Sequence, residues 1–288
     1  PGEVVSPEDL RRSFQNQTIL KRTVIVAAGP LFNLFLAALI FSGTFMIGLP
    51  VLTSKIGEIL KESPAARVGL EKGDRIVAID GTPVRRWDEM VKTIQENAGV
   101  KLILTIEREK RRFDVTIIPE SKASKNIFGE EREVGMIGVA AGGEFIKERL
   151  SPPKAIVKGF ERTIDISILT AVAIVKLIQR VIPAETIGGP LLIAQMAGEQ
   201  ASAGIINFIL FTAIISINLG VINLIPIPIL DGGHLLFFAV EAIRRKPLSI
   251  KMRERAQQIG LFIIIALMIF AFYNDIMRFL SGKALNHP

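Results

Sequence analysis

The chain has 288 residues, of which 49% are hydrophobic and 22% charged, with a mean hydropathy of +0.42. Both fractions can be high only if apolar and charged residues occupy separate stretches, the pattern of a membrane protein carrying a soluble insert. The formal charge of +7 is scattered among loops without interleaved aromatics, which excludes nucleic acid as a partner, and the lack of cysteine excludes disulfides, thiol nucleophiles and cysteine metal sites.

The first residue is Pro1, and no signal-peptide succession of basic, apolar and small residues follows, so the chain reads as a fragment without its natural start. Residues 1–22 form a polar, cytoplasmic segment in which Arg11, Arg12, Lys21 and Arg22 precede an apolar run. The run 23–49 is long enough for one transmembrane helix at about 20 residues per crossing. Within it lies Ala28-Gly29-Pro30-Leu31-Phe32-Asn33. Gly29 suits close helix packing, while the amide of Asn33 needs partners, either in an active-site cavity or on a structural neighbour.

From 50 to 120 the texture changes to short alternating strands. Lys55 to Leu60 reads as a strand, and Ser63-Pro64 opens a short helix. Gly73 to Gly81 is a strand ended by an Asp-Gly turn; Trp87, Met90, Val91 and Ile94 follow helical spacing; two strands, from Leu102 and from Phe113, close the unit. Residues 121–154 carry Gly142-Gly143 and Pro152-Pro153 and read as a linker with one extra strand from Val134 to Val139. Segment 155–183 is apolar in its middle, with Lys158, Glu161, Arg162, Asp165, Lys176 and Arg180 crowding its ends. A connecting segment, 184–205, includes Ile187-Gly188-Gly189-Pro190, and no role is assigned to its residues.

A second apolar region, 206–243, is followed by a basic loop at 244–257, a last transmembrane helix at 258–273 and a polar tail at 274–288. Arg244, Arg245, Lys246, Lys251, Arg253 and Arg255 place the basic loop in the cytoplasm with Arg11 to Arg22. An even number of crossings must separate the two, so 155–183 is expected to lie along the interface as an amphipathic helix.

The middle of 206–243 reads Asn223-Leu-Ile-Pro226-Ile-Pro228-Ile-Leu230-Asp231-Gly232-Gly233-His234. Pro226 and Pro228 free carbonyls that only protein or a watered cavity can satisfy in a membrane, and an ionisable Asp231 there marks a functional site. The competing reading is a proline-terminated helix followed by a helix capped by Asp231, with Gly232 and Gly233 giving the turn.

Asn223-x-x-Pro226-x-Pro228-x-Leu230-Asp231-Gly232 resembles the signature of the site-2 protease family, intramembrane zinc metalloproteases, in particular the bacterial regulators of sigma-E type. Gly29-Pro30-x-x-Asn33 and the segment from Gly189 to Ala194 resemble two further elements of the same family. The resemblance implies that Asp231 is catalytic as the third zinc ligand, beside two histidines of an HExxH helix, and that Asn223, Pro226, Pro228 and Asn33 hold an extended substrate. No HExxH occurs here, since the only histidines are His234 and His287. The expectation is that its helix lay upstream and that the chain is inactive as it stands; His234 is assigned an orienting or structural role.

The order of elements from 50 to 120, with Gly69-Leu70 before Gly73-Asp74-Arg75-Ile76 and Ile79-Asp80-Gly81, is similar to a bacterial PDZ domain. That resemblance implies a peptide-binding sheet edge at Ile56, Gly57, Glu58 and Ile59, facing a helix from Trp87 to Gln95, or else a steric filter without peptide affinity. The expected fold is thus a multi-pass α-helical membrane protein with an inserted α+β PDZ domain. It is expected in the bacterial inner membrane with the PDZ unit outside the cytoplasm. Its expected partners are zinc, membrane-spanning protein substrates such as anti-sigma factors or signal-peptide remnants, a peptide at the PDZ groove and the lipid bilayer. A noncatalytic, membrane-anchored PDZ binding module is the alternative.

Overall fold

Between Thr18 and Gly48 only Pro30 opposes helix, and the chain runs as one 29-residue helix, α1 (Ile19–Ile47). Gly48, at φ +92°, ends it in a conformation that side chains with a Cβ avoid. The computed structural model describes residues 14–281, so Arg11, Arg12 and His287 lie outside it. The chain divides into two compact units, residues 45–150 and the two flanking segments.

In the unit 45–150, period-2 alternation builds an antiparallel sheet in the order β4-β3-β5-β6. Its strands are β3 (Arg75–Ile79), β4 (Thr82–Pro83), β5 (Leu102–Arg108) and β6 (Arg111–Ile117). The β3–β4 turn holds Asp80 and Gly81 at φ 48° and 76°, as a two-residue hairpin requires. The Asp80 carboxylate also accepts the Ile103 N–H at 2.8 Å. Two helices complete the core: α2 (Pro64–Arg67), whose cap Ser63 accepts the Ala66 N–H at 3.3 Å, and α3 (Trp87–Glu96). Helix α3 buries Met90 and Ile94, spaced one turn apart, against Ile56, Ile76, Leu104, Ile106 and Ile117. Each such buried side chain contributes about 1.5–3 kcal/mol.

The one buried acid of this unit, Asp74, is 1% exposed and fully partnered among the described residues. It accepts Arg108 Nε at 2.7 Å, Arg108 Nη2 at 2.8 Å and the Glu71 N–H at 2.8 Å.

Residues 121–154, expected as a linker, mostly belong to this unit. β7 (Glu120–Lys125) pairs with β8 (Glu131–Met136), while β9 (Val139–Ala141) and β10 (Phe145–Glu148) pair antiparallel with β2 (Ile56–Ile59) and β1 (Leu49–Leu52). The last strands thus close on the first ones. Glu144 joins them to the sheet through Lys55 at 2.9 Å and Arg75. Lys55 and then Arg75 hold the Glu144 carboxyl below its ordinary range, and Arg67 does the same for Glu120.

The other unit adds α4 (Pro152–Ile178), α5 (Pro190–Ser202), α6 (Ile205–Asn223), α7 (Asp231–Arg244) and α8 (Ile250–Leu280). Helices α1, α6 and α8 are long and apolar enough to cross a membrane. The region 206–243 is therefore two helices split by a connection. Residues 250–257 of the expected basic loop and 274–280 of the expected tail are helical too, because Ser249 caps α8, accepting the Met252 N–H at 3.3 Å, and the helix continues to Leu280. Charge decides where a helix sits, not whether it forms.

Helix α4, expected along the interface, packs against two other helices. A Cβ at Gly159 would overlap Ser42 of α1, Phe160 lies 6.4 Å from Phe35, and Thr170 Oγ1 donates to Asn218 Oδ1 of α6 at 3.0 Å. Small residues such as Gly159 permit the approach to α1.

Candidate active site

Helix α6 stops at Asn223 because Pro226 and Pro228 lack the N–H groups that would extend it. The connection instead folds on itself, Ile227 N–H donating to Ile225 O at 2.7 Å and Leu230 N–H to Ile227 O at 2.9 Å. Helix α7 then begins at Asp231, with Leu230 extended before it. Neither Gly232 nor Gly233 has a positive φ, so they do not supply a turn. They supply room. A Cβ at Gly232 would overlap the carbonyls of Leu224 and Ile225, and one at Gly233 the carbonyl of Ile227. Gly260 of α8 closes from another side, a Cβ there lying 3.1 Å from Ile229 N.

This tight folding aims Asp231. Its carboxylate Oδ2 lies 3.4 Å from the position a Cβ would take on Gly29 of α1. Asp231 is half-buried, and among the described residues its carboxylate has no hydrogen bond and no ion pair. It therefore does not serve as a helix cap. An unpaired carboxylate against a spanning helix is costly unless something binds it.

Helix α1 is held for this contact by α6. Ser216 Oγ donates to the Asn33 carbonyl at 2.8 Å, and a Cβ at Gly220 would lie 3.1 Å from the Pro30 carbonyl. Asn33 is half-buried one turn beyond Gly29, hence on the same face of α1. The structure thus gathers Asp231, Gly29 and that face of α1, and carries Asn223, half-buried Pro228 and exposed Pro226 on the connection leading into Asp231. His234 is half-buried with its ring edge-on to Phe237 at 6.3 Å. Among the described residues, no three His, Cys, Asp or Glu side chains cluster as a metal site would need.

In the unit 45–150, the expected groove strand is corrected. Ile56 is fully buried in the core beneath α3 and β2 pairs with β9, so Ile56, Gly57, Glu58 and Ile59 do not line the cavity beside α3. The wall opposite α3 is residues 135–139. A Cβ at Gly135 would overlap the Ile94 carbonyl, bringing that strand against the helix end. Between them is a cavity of about 180 Å³ lined by Leu60, Trp87, Val91, Ile94, Ile137 and Val139.

Sequence reasoning missed two further buried acids. Asp275 of α8, 1% exposed, accepts the N–H groups of Gly189, Leu191 and Leu192 at 2.9, 3.0 and 3.1 Å and so anchors the start of α5. That gives the Gly188-Gly189-Pro190 stretch its role: a Cβ at Gly189 would lie 2.7 Å from the Asp275 carboxylate. Glu241 of α7, 2% exposed, pairs with Arg22 of α1 at 3.2 Å and with Arg253 of α8. The available signal was an acid inside an apolar run.

A family model described as Peptidase family M50 matches residues 1–267. A protein of Agrobacterium fabrum provisionally named a zinc metalloprotease is 35% identical over 276 residues, 94% of this chain and 73% of its own length. The Regulator of sigma-E protease RseP of Escherichia coli is 35% identical over 235 residues, 80% of this chain and 51% of its own length. Among solved structures, the PDZ domain of an SdrC-like protein from Listeria innocua is 19% identical and covers 32% of this chain and 96% of its own, with a TM-score of 0.25.

Proposed function

Because the chain belongs to peptidase family M50, the site-2 proteases, we propose that its Asp231 is a zinc ligand of an intramembrane endopeptidase acting on membrane-spanning protein substrates. Zinc is the metal of the family, and a bound zinc lowers the pKa of a water to about 7 and polarises a scissile carbonyl. A carboxylate is a suitable zinc donor, and the one observation that carries this reading is that Asp231 has no partner of its own while lying against Gly29. The described residues supply this single donor and no cluster of three, so they do not close a zinc site by themselves.

What this chain's own residues contribute is position and polarity. The folded connection aims the carboxylate, and the flanking helices keep hydrocarbon on one side and a protein wall on the other. A helical substrate must unwind to present a carbonyl, and Asn223 together with the proline-broken backbone at Pro226 and Pro228 offers polar groups to an extended segment. Asn33, on the Gly29 face of α1, is placed to act with them.

The unit 45–150 serves in this reading as a PDZ domain, with an extended peptide laid between α3 and residues 135–139. The apolar lining there favours a hydrophobic side chain. Arg22 and Arg253 meet on Glu241, which puts the starts of α1 and α8 at one level, and the basic residues around Arg253 assign that level to the cytoplasm. The PDZ unit, joined to the other end of α1, is then extracytoplasmic, and the protein is a multi-pass protein of the bacterial inner membrane.

The test is peptidase activity of the protein made from its full reading frame. Asp231→Asn is expected to lower the rate by more than the roughly 100-fold upper range for loss of an outer-shell metal partner. Unchanged activity would overturn the assignment.

A further inference from the structure

Glu241 is 2% exposed, and its carboxylate has three partners from separate parts of the chain. It accepts Arg22 Nη2 of α1 at 3.2 Å, the Leu248 N–H at 3.1 Å and Arg253 Nη2 of α8. Arg22 also lies 5.0 Å from the centroid of Phe238, which is on α7 one turn before Glu241. Along α7, Glu241 follows Asp231 by about three turns; along α1, Arg22 precedes Gly29 by about two. Helices α1 and α7 therefore run antiparallel and touch at two places, Arg22 with Glu241 at one end and Gly29 with Asp231 at the other.

Two contacts fix what one leaves free. Sliding α7 by a residue moves it about 1.5 Å and turns it about 100°, enough to swing the Asp231 carboxylate off Gly29. Glu241 forbids such a slide, because a buried acid is tolerated only where its cationic partners reach it. Ion pairing from α8 as well as α1 makes the constraint three-sided.

We propose that Glu241 is a positioning residue for Asp231: its pairing with Arg22 and Arg253 sets the register of α7 on α1 and so aims the ligand carboxylate. The zinc side of the proposal rests on reading Asp231 as a zinc ligand; the register side does not. These 288 residues contain no cysteine, so Gly29→Cys with Asp231→Cys gives a pair whose cross-linking by a short bis-thiol reagent reports the register without metal or activity. In the protein from its full reading frame, with any cysteine elsewhere replaced, adding Glu241→Gln or Arg22→Met is expected to cut the cross-linked yield about tenfold. Arg22→Lys, which keeps the charge, is expected to restore most of it. With Asp231 intact, Glu241→Gln is expected to weaken zinc binding by about tenfold, within the range for residues that orient a ligand.

Equal cross-linking in the parent and Glu241→Gln proteins would overturn the proposal. If Glu241→Gln fails to accumulate, the comparison of Arg22→Met with Arg22→Lys decides, and equal yields overturn it. Unchanged zinc content in Asp231→Asn would instead end the ligand reading, while the cross-linking yields still decide the register independently.

Discussion

Asp74 and Asp231 are acids of the two units with opposite circumstances. In the unit 45–150, Asp74 is buried with a bidentate arginine and a backbone N–H, and its charge is spent on holding β3, β5 and the loop before them together. In the helical unit, Asp231 is placed by a tightly folded connection and then left without a partner among the described residues. Glu241 and Asp275, in the same helical unit, side with Asp74: each is saturated by groups from other elements. Burial alone therefore does not separate architecture from chemistry. The unpartnered acid is the one available to an incoming ligand.

Substitutions at four positions probe that contrast. The largest effect is expected from Arg108→Met, which strands Asp74 in the core of the unit 45–150. Leaving a buried charge uncompensated costs about 3 kcal/mol, to be read as a lower unfolding midpoint of that unit by denaturant-dependent proteolysis. Gly232→Ala comes next. Its methyl would overlap the Leu224 carbonyl, and forcing the connection open should cost about 2 kcal/mol, read as a lowered thermal midpoint of the purified protein in detergent.

Smaller again is Gly29→Val, which crowds the Asp231 carboxylate without touching its fold. Gly29→Ala fits at ordinary contact distance and is expected to be nearly silent, whereas valine should lower peptidase activity about tenfold with little change in thermal midpoint. A silent valine would separate Gly29 from the site.

The smallest effect concerns surface acids. The partners of Glu144 and Glu120 depress their pKa values, so both acids contribute stability above their unfolded value of about 4.5. That contribution is lost as pH falls through their lower folded values. As pH falls below about 4.5 the unit 45–150 should lose stability, and Glu144→Gln should flatten that slope slightly when thermal midpoints are measured against pH. Both groups are solvent-exposed, which keeps the effect small.

Much of this is legible in the sequence, and the exceptions have physical causes. Local alternation and the Asp80-Gly81 turn mark β3 to β6, since a hairpin is written in neighbouring residues. Strands β9 and β10 read as part of a linker because their partners, β2 and β1, lie far back in the chain, about a hundred residues in the case of β1 and β10, and strands this short have no periodicity of their own. For the same reason the expected groove wall falls on Ile56 to Ile59 rather than on 135–139. Helix α8 reads short because hydropathy reports which turns suit lipid, while the backbone continues through Arg253, Asn274 and Asp275 with its hydrogen bonds intact. At the site, Asp231 and the prolines are visible as anomalies in an apolar run. Glu241 and Asp275 are equally anomalous, but only tertiary contact distinguishes an acid that is held from one that is open.

If the open carboxylate of Asp231 binds metal, zinc per molecule is the quantity that reports it, measured by elemental analysis in protein made from the full reading frame. Asp231→Asn is expected to lose zinc, while Asp74→Asn and Asp275→Asn, which remove partnered acids, are expected to keep it wherever the protein folds. Full zinc occupancy in Asp231→Asn would contradict that assignment.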